Sequence, residues 1–496
     1  MLKPIPTLFL IALVFVVLRL PVTYRQEGGE DEEFYAVPGW TVATEGVPRV
    51  PYVPARDHRS WFYRVDTALF AMPPAYFYWQ APFYRLLPAG YGTARLASAV
   101  AGLVAVWLVF ELGRQVLGDE TVGLWAAALY SLSRTFFFPA VRARPDMLCG
   151  MLGLAALLAV GSWQATGRWR RLALAGALLG LGLLTHPFAF AYCLQIAGWV
   201  AISASGVKRR LTDLAVLTGS ALATFALWTP LIVRWPELFR EQFVKNVIDQ
   251  AGPGLLTRML LPWESLVYHY HLLLEYAQPL QLGLMATGLV AATWLAVANR
   301  RRQARLLVAL AWSAVYLLVT VQGPHGAKGY WCYPAALVWL CVAFAVVNLG
   351  RWLSAEARRP RLRSIALGGV LAAAMLPGLG LRTWWTHARH WNDVDYNAPR
   401  FARELLGDLP PDARLVLDEA FVFDAYLAGR NVALACNNPF YYESAERPYD
   451  YLVITRLGRQ KGIAASMNGR LLREYGDPHD LFACYAQVYV PAKKPP

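Results

Sequence analysis

The residues that could carry chemistry lie in three polar segments between apolar runs: Asp31, Glu32 and Glu33; Arg142, Arg144 and Asp146; and Lys328 with Tyr330. Two guanidinium groups can hold a phosphate through paired hydrogen bonds, and a lysine can add a further positive charge. A carboxylate beside them can take a proton from an attacking hydroxyl or amine. If the fold brings the segments together, they predict a reaction on a phosphate-bearing substrate. The alternatives are that the acids form a solvated loop, and that the two arginines only reach the membrane surface and pair with Asp146.

A second polar group, His269, His271 and Glu275, lies within the sequence WESLVYHYHLLLEY. On a helix His271 and Glu275 share one face, whereas on a strand the two histidines would share one. Imidazole and carboxylate groups bind divalent metals, so a divalent metal is one interpretation of this segment and the only cofactor that the sequence suggests. The alternative is that both histidines lie at a membrane interface beside Tyr268 and Tyr270.

The elements that must position these residues are apolar helices. Of the 496 residues, 57% are hydrophobic and 16% are charged, whereas soluble domains are usually nearer one quarter charged. Many apolar runs approach the length of about 20 residues that a helix needs to cross a bilayer. The sequence predicts a polytopic α-helical membrane protein with about eleven transmembrane helices, near residues 6–20, 93–110, 122–138, 147–165, 172–184, 188–203, 211–233, 280–298, 306–321, 335–349 and 365–381.

The charged residues predict how these helices are oriented. The net charge is +14, but the basic residues cluster in short loops between apolar runs, which indicates membrane topology and not a nucleic-acid partner. With Lys3 in the cytoplasm, the basic groups near 114, 168–171, 208–210, 300–305 and 351–363 all become cytoplasmic. The three polar segments and the C-terminal tail then share the outer side. We expect a multi-pass protein of the cytoplasmic (inner) membrane, with a cytoplasmic N-terminus and a periplasmic C-terminal domain.

Two parts of the predicted outer side have their own character. The stretch MPPAYFYWQAPFYRLLPAG is rich in proline and tyrosine, which favours helices lying in the membrane interface. After about residue 385, short apolar runs (ARLVLD, YDYLVIT, FACYAQVYV) alternate with helical stretches such as APRFARELLGDL, which is typical of a small α/β domain. We therefore divide the chain into a transmembrane catalytic domain, 1–385, and a soluble domain, 386–496. A disulfide between Cys436 and Cys484 is an alternative to two free thiols if that domain lies in an oxidising compartment.

The order of the motifs resembles that of a known enzyme family. DEEFY follows the first span, PPAYFYWQAPFYRLLPAGYGTARLASAVAG leads into the second, RARPDML follows the third, and GAKGYWCYP precedes the tenth. The series is similar to that of the GT-C glycosyltransferases of the dolichyl-phosphate-mannose protein mannosyltransferase type, which include the bacterial lipid A aminoarabinose transferases. The matching positions are Asp31, Glu32, Tyr35, Pro73, Pro74, Phe77 to Tyr78, Arg95, Leu96, Ser98, Arg144, Asp146, Lys328, Tyr330 and Pro334.

The resemblance implies a GT-C fold and the transfer of a sugar from a polyprenyl-phosphate carrier, with inversion at the anomeric carbon. Asp31 would be the general base, and Glu32 and Asp146 would orient the acceptor or an arginine. The donor phosphate would be bound by Arg144, Arg142, Lys328 and Tyr330. The implied partners are the lipid bilayer, the polyprenyl-phosphate-linked sugar donor, and an acceptor that is a glycolipid, a polysaccharide or a protein.

Two other classes of function remain as alternatives. A transporter would suit about eleven spans, but it should place ionisable residues or broken helices near the middle of the membrane. Apart from Glu111 and Asp213 near their ends, the predicted spans after the first are nearly free of acids. A membrane-anchored assembly factor would act through its C-terminal domain, and the acidic segment would then be incidental.

Overall fold

Helices form most of the chain, and the last part adds a small sheet. The computed structural model describes residues 4–29, 31–249, 254–298, 301–326, 328–355, 360–376, 380–438, 441–445 and 447–492. Before residue 377 its α-helices are α1 Pro4–Arg25, α2 Glu32–Glu45, α3 Ala75–Leu86, α4 Tyr91–Val116, α5 Glu120–Leu132, α6 Arg134–Phe137, α7 Asp146–Thr166, α8 Trp169–Leu183, α9 Ala189–Ser203, α10 Val207–Phe225, α11 Thr229–Arg234, α12 Pro236–Phe239, α13 Leu255–Leu260, α14 Trp263–Tyr276, α15 Gln278–Ala298, α16 Arg302–Gln322, α17 Cys332–Ala355 and α18 Pro360–Met375.

The apolar helices confirm the prediction of a polytopic membrane protein. Within the described residues, seven helical segments are long and apolar enough to cross a bilayer: Pro4–Arg25, Tyr91–Val116, Asp146–Thr166, Val207–Arg234, Gln278–Ala298, Arg302–Gln322 and Lys328–Leu353. The other four predicted spans are shorter helices, since α5, α8, α9 and α18 have 13, 15, 15 and 16 residues. The predicted break between the fifth and sixth spans is present, because α8 ends at Leu183 and α9 begins at Ala189.

The segment between α1 and α4 holds two helices that position the acidic residues. The backbone carbonyl of Ala36 in α2 accepts a hydrogen bond of 3.0 Å from the hydroxyl of Tyr84 in α3. In the same helix, the ring of Trp40 lies 6.5 Å and 5.7 Å from the rings of Phe423 and Tyr426 in the C-terminal domain. Because it packs against both α3 and the C-terminal domain, α2 buries most of its residues.

The C-terminal domain has the predicted α/β character. After α19 Leu381–Arg389, its elements are α20 Ala398–Gly407, β1 Arg414–Leu417, α21 Val422–Leu427, β2 Asn431–Leu434, β3 Asn437–Asn438, β4 Tyr442–Glu443, β5 Tyr451–Ile454, α22 Arg456–Gln460, α23 Ile463–Ser466, β6 Gly469–Gly476 and β7 Tyr485–Pro491. Five strands form one sheet in the order β2-β1-β5-β7-β6. β1 pairs in parallel with β2 and β5, and β7 pairs antiparallel with β5 and β6.

Three of these strands and one helix match the runs singled out in the sequence. β1 and β5 lie within ARLVLD and YDYLVIT, β7 begins within FACYAQVYV and ends one residue after it, and α20 lies within APRFARELLGDL. The division at residue 386 falls inside α19, so that helix connects the two predicted domains. The disulfide alternative is not realised, because Cys436 and Cys484 are both free thiols.

Candidate functional site

Arg144 joins two of the predicted acidic residues. Its Nη1 donates to Oδ2 of Asp31 at 3.1 Å, and its Nε donates to Oδ2 of Asp146 at 2.9 Å. Asp146 is fully buried at the start of α7 and also accepts a hydrogen bond of 3.4 Å from the hydroxyl of Tyr333. The Asp31 side chain, in contrast, is 41% exposed. One guanidinium therefore links a carboxylate inside the protein to a carboxylate that a substrate can reach.

Two aromatic rings hold the Arg144 side chain between them. Its Cζ lies 5.4 Å from the ring centroid of Tyr35 and 5.7 Å from that of Tyr330, which favours the cation over each ring face. Burial alone would lower the pKa of Arg144, but Asp146 and then Tyr35 raise that pKa well above its ordinary value. Arg144 is therefore a fixed positive charge, and Tyr330 acts on the site through it.

Glu32 is the centre of a buried ion cluster. Its Oε1 accepts from Nε of Arg95 at 2.8 Å and from the backbone N–H of Ala143 at 2.7 Å. Its Oε2 accepts from Nη1 of Arg142 and from the backbone N–H of Gly29, each at 2.9 Å. Burial alone would raise the pKa of Glu32, but the charges of Arg95 and Arg142 outweigh it and hold that pKa below its ordinary value. The cluster ties the acidic segment to the loop that carries the two arginines.

Glu32 was predicted to orient either an arginine or the acceptor, and its burial distinguishes between these two roles. It touches two arginines, but its side chain is 0% exposed, so a direct contact with an acceptor does not fit its position. Arg142 pairs with Glu32 and is still 26% exposed. Arg95 was one of the positions that match the family motifs, but the sequence analysis predicted no role for it. A charged residue near the start of an apolar helix is the signal that could have identified it.

The backbone at Asp31 is in the left-handed region. Asp31 has φ 66° and ψ −9° immediately before α2. A residue other than glycine in this conformation costs on the order of 1–3 kcal/mol unless its surroundings hold it there. Here the ion cluster fixes Glu32, the residue that follows Asp31, and the ion pair with Arg144 fixes the Asp31 side chain. Such over-determined strain is common at active sites.

A cavity of about 580 Å³ opens beside these residues and is here called the Asp31 cavity. Its lining residues are Asp31, Arg134, Phe138, Pro139, Arg142, Arg144, Glu275, Tyr276, Lys328 and Gly329. Lys328 forms an ion pair with Glu275, and the two side chains are 47% and 69% exposed. Exposed ion pairs contribute only about 0–1 kcal/mol. Lys328 can therefore exchange Glu275 for an anionic ligand at little cost.

The predicted metal ligands lie on α14, but they do not converge. His269 is buried, and its Nδ1 accepts a hydrogen bond of 3.3 Å from Nε1 of Trp331. Glu275 is occupied by Lys328. Among the residues that the structure describes, no group of three or more His, Cys, Asp or Glu side chains could hold a metal ion. The site described here consists of carboxylates and cations, and His271 is not part of it.

The third adjacent acid, Glu33, is buried, so the alternative in which the acids form a solvated loop is wrong for this residue. Its side chain is only 2% exposed, because the C-terminal domain covers the start of α2. There the N–H of Gly28 donates to the carbonyl of Ala420 at 3.3 Å. Glu419, which pairs with Lys461 at 2.6 Å, is next to Ala420. Burial, followed by the charges of Glu419 and Asp31, raises the pKa of Glu33 well above its ordinary value.

A Glu33→Gln variant is expected to melt at a higher temperature than the wild type at pH 8, with a smaller difference at pH 5. A raised pKa in the folded state means that Glu33 contributes its full stability only below its unfolded pKa of about 4.3, and that this contribution falls as the pH rises. Glutamine keeps the neutral shape at every pH. Thermal unfolding followed by intrinsic fluorescence would measure the difference. Glu45→Gln changes an exposed acid on the same helix and should show no such pH dependence; a Glu33→Gln protein less stable than wild type at pH 8 would contradict the assignment.

Comparisons with known proteins agree with this architecture. Residues 71–233 match the sequence profile described as dolichyl-phosphate-mannose-protein mannosyltransferase. A comparison with curated protein sequences found no match. The fold is similar to that of ArnT from Cupriavidus metallidurans bound to undecaprenyl phosphate, with 15% identity, 97% of each chain covered and a TM-score of 0.62. The apo state of ArnT gives a TM-score of 0.63 at the same identity and coverage.

A more distant similarity is to the archaeal oligosaccharyltransferase AglB from Archaeoglobus fulgidus in complex with an inhibitory peptide and a dolichol-phosphate. It has 13% identity, a TM-score of 0.56, and coverage of 99% of this chain and 75% of that one. At these identities the structural similarities establish the fold. They confirm the GT-C fold that the order of motifs implied.

Proposed function

We propose that this chain, which has the fold of the GT-C glycosyltransferases, moves a sugar from a polyprenyl-phosphate carrier to an acceptor. The observation that carries the proposal is the Arg144 bridge between Asp31 and Asp146 at the edge of the Asp31 cavity. It places an accessible carboxylate next to a permanent cation. A sugar transfer from a phosphate needs this pair, since one group accepts a proton and the other receives a leaving anion.

Asp31 is the proposed general base. A hydroxyl or amine of the acceptor attacks the anomeric carbon, and its proton passes to the Asp31 carboxylate. The bond between the anomeric carbon and the phosphate oxygen breaks at the same time, and its electron pair leaves with the carrier phosphate. Because attack and departure occur on opposite faces of the sugar, the anomeric configuration inverts. Every atom is accounted for by the donor, the acceptor and the protein.

The leaving phosphate is the proposed ligand of the cations. Arg144 is held by its ring contacts and by Asp146 even when Asp31 turns to the acceptor. Lys328 is free to leave its exposed partner Glu275, and Arg142 presents the part of its side chain that the Glu32 cluster does not cover. Fixed positive charges aimed at a developing anion are the largest single contribution in many enzymes.

The lipid part of the donor is supported by the comparisons. The matched sequence profile is that of dolichyl-phosphate-mannose-protein mannosyltransferase, and the similar structures include one bound to undecaprenyl phosphate and one in complex with a dolichol-phosphate. The distribution of basic residues between spans supports an active site on the outer face of the cytoplasmic membrane. On that side no nucleotide is needed, because the carrier itself activates the sugar.

An Arg144→Ala variant is expected to bind undecaprenyl phosphate about tenfold or more weakly than the wild type. The lost contact is a charge-assisted hydrogen bond to a phosphate, which contributes on the order of 1.5–3 kcal/mol. Native mass spectrometry of the purified full chain, titrated with undecaprenyl phosphate, would measure the occupancy.

Arg168→Ala is the matched control, because Arg168 is an exposed arginine between α7 and α8 that lies outside the Asp31 cavity. It should bind as the wild type does. Equal occupancy of the wild type and Arg144→Ala would exclude the phosphate role of Arg144. A wild-type protein that does not bind undecaprenyl phosphate at all would overturn the proposed donor class.

A further inference from the structure

A second cavity, of about 610 Å³, adjoins the Asp31 cavity and is here called the α19 cavity. Arg134 and Phe138 line both cavities and form the wall between them. The rest of the α19 cavity is formed by the end of α1, the start of α19 and residues 481–484 of the C-terminal domain. A molecule bound there would lie in the cavity that adjoins the one lined by Asp31, without occupying the place of the carrier phosphate.

The start of α19 presents an anion-binding surface to this cavity. Leu381, Arg382 and Thr383 form the first turn, they line the cavity, and no side chain caps the helix. The first N–H groups of a helix have no partner within it and carry a partial positive charge. Gly380 precedes the helix with φ 66°, and a Cβ on it would lie 2.4 Å from the ring of Phe137. Only glycine allows this helix to begin against the cavity wall.

Two arginines add full charges at the same place. Arg382 is exposed in the first turn of α19, and its Cζ lies 5.2 Å from the ring centroid of Phe482. Arg134 is oriented by a hydrogen bond of 2.6 Å from its Nε to the backbone carbonyl of Tyr276. The acid in the lining is Glu27, which lies 3.8 Å from Arg456, and burial raises its pKa to about 7. The cavity therefore favours an anion at neutral pH.

A buried polar atom also indicates a missing ligand. His387 lies one turn further along α19, lines the cavity and is 2% exposed. Its Nδ1 has no hydrogen-bond partner among the described residues. Leaving a buried polar atom unpaired costs on the order of 1–3 kcal/mol, and a ligand with a polar group beside the anion would satisfy it.

The rest of the lining combines the polar side chains of Gln26 and Gln278 with an apolar part that is exposed at the protein surface. Its apolar residues are Val22, Phe137, Leu376, Leu381 and Leu481, and the last three are 53%, 41% and 80% exposed. An anion site with an exposed apolar wall fits an amphiphile better than a free sugar or an extended peptide.

We propose that the α19 cavity binds the acceptor, and that the acceptor is an amphiphile whose polar end carries an anionic group. The anion lies at the start of α19 between Arg382 and Arg134, and the apolar chain lies along the leucine and phenylalanine side chains. This inference rests on the proposed function, since it assigns the carrier phosphate to Arg144 in the other cavity. Arg134 then stands between the two anions and sets the distance at which acceptor and donor meet.

Photo-labelling tests the cavity independently of the reaction. The probe is dioctanoyl phosphatidic acid carrying a diazirine in one chain, added to the purified full chain in detergent, with the labelled residues located by peptide mass spectrometry. We expect labels within 376–387 and 481–484 that fall about tenfold in Arg382→Gln, a loss of about 1.4 kcal/mol. Arg389→Gln, an exposed arginine on the same helix outside the cavity, should label as the wild type does. The neutral diacylglycerol analogue should label about tenfold less.

Three results would overturn the assignment: equal labelling of Arg382→Gln and the wild type, equal labelling by the neutral analogue, or loss of the label when excess undecaprenyl phosphate is added to Arg144→Ala protein. The last result would mean that the cavity takes the spent carrier and not the acceptor. A failure of the proposed function is distinguishable from these, because undecaprenyl phosphate would then fail to bind the wild type while the label in the α19 cavity persisted.

Discussion

Replacing Asp31 by asparagine is expected to lower the rate of sugar transfer by about 10²–10⁴-fold, the contribution typical of a positioned general base. The amide has nearly the same shape but cannot take the acceptor proton. Arg144 keeps its hydrogen bond to Asp146 and its two ring contacts, so the phosphate site should survive. Transfer would be measured with the purified full chain and a polyprenyl-phosphate sugar that co-purifies with it, identified by mass spectrometry.

The matched control for this variant is Asp57→Asn. Asp57 is an exposed acid in the same long segment between α1 and α4, where it pairs with its neighbour Arg59. It should retain full activity. Asp31→Asn protein should bind undecaprenyl phosphate as tightly as the wild type, which separates loss of chemistry from loss of folding. Full transfer by Asp31→Asn would exclude Asp31 as the base.

Replacing Glu32 by alanine is expected to destabilise the protein by about 3–5 kcal/mol, the cost of leaving a buried charge without its partner. Arg95, which is 1% exposed, loses its carboxylate, and the N–H groups of Gly29 and Ala143 lose their acceptor. Thermal unfolding of the purified protein and its yield in membranes would report the loss. Glu32→Gln keeps an acceptor at the same place and should be less damaging.

The control for Glu32 lies on the same helix. Glu45 pairs with Arg49 in an exposed i,i+4 ion pair, so Glu45→Ala should cost less than about 1 kcal/mol. If Glu32→Ala and Glu45→Ala proteins unfold at the same temperature, the buried cluster does not hold the site together. The rate of sugar transfer should also fall in the Glu32→Ala protein. Asp31, whose backbone is in the left-handed region, directly precedes the helix that Glu32 anchors.

Much of the architecture follows from local properties of the sequence. Apolar runs of sufficient length predict helices in a membrane whatever their partners are, and alternating apolar runs predicted β1, β5 and β7. The order of the short motifs along the chain also predicted that Asp31, Arg144, Asp146 and Lys328 belong to one site. The helices and strands could be predicted because each depends on composition or on spacing within a few turns, whereas the site residues were predicted from the order of short motifs along the chain.

Which charged residues pair with each other could not be predicted from local sequence patterns. Glu32 binds Arg95 and Arg142, which are 63 and 110 residues away in the chain, and no periodicity connects such distant positions. Three adjacent acids look alike in sequence, yet Asp31 is exposed to a cavity, Glu32 is an ion-cluster centre and Glu33 is buried under another domain. A helix turns each successive side chain by about 100°, so neighbours face different surroundings.

The sequence by itself determined that this is a helical membrane protein with an acidic segment, an arginine loop and a lysine loop of matching chemistry. Only the tertiary structure decided which acid is accessible, because Glu33 is buried by a C-terminal domain that lies more than three hundred residues further along the chain. The hydrogen bond that the hydroxyl of Tyr91 donates to the carbonyl of Glu419 is one contact of this docking. The tertiary structure also decided that the start of α19 lines a second cavity, which shares Arg134 and Phe138 with the Asp31 cavity. Both outcomes are set by long-range packing and charge pairing, whose free energy belongs to contacts and not to any one segment.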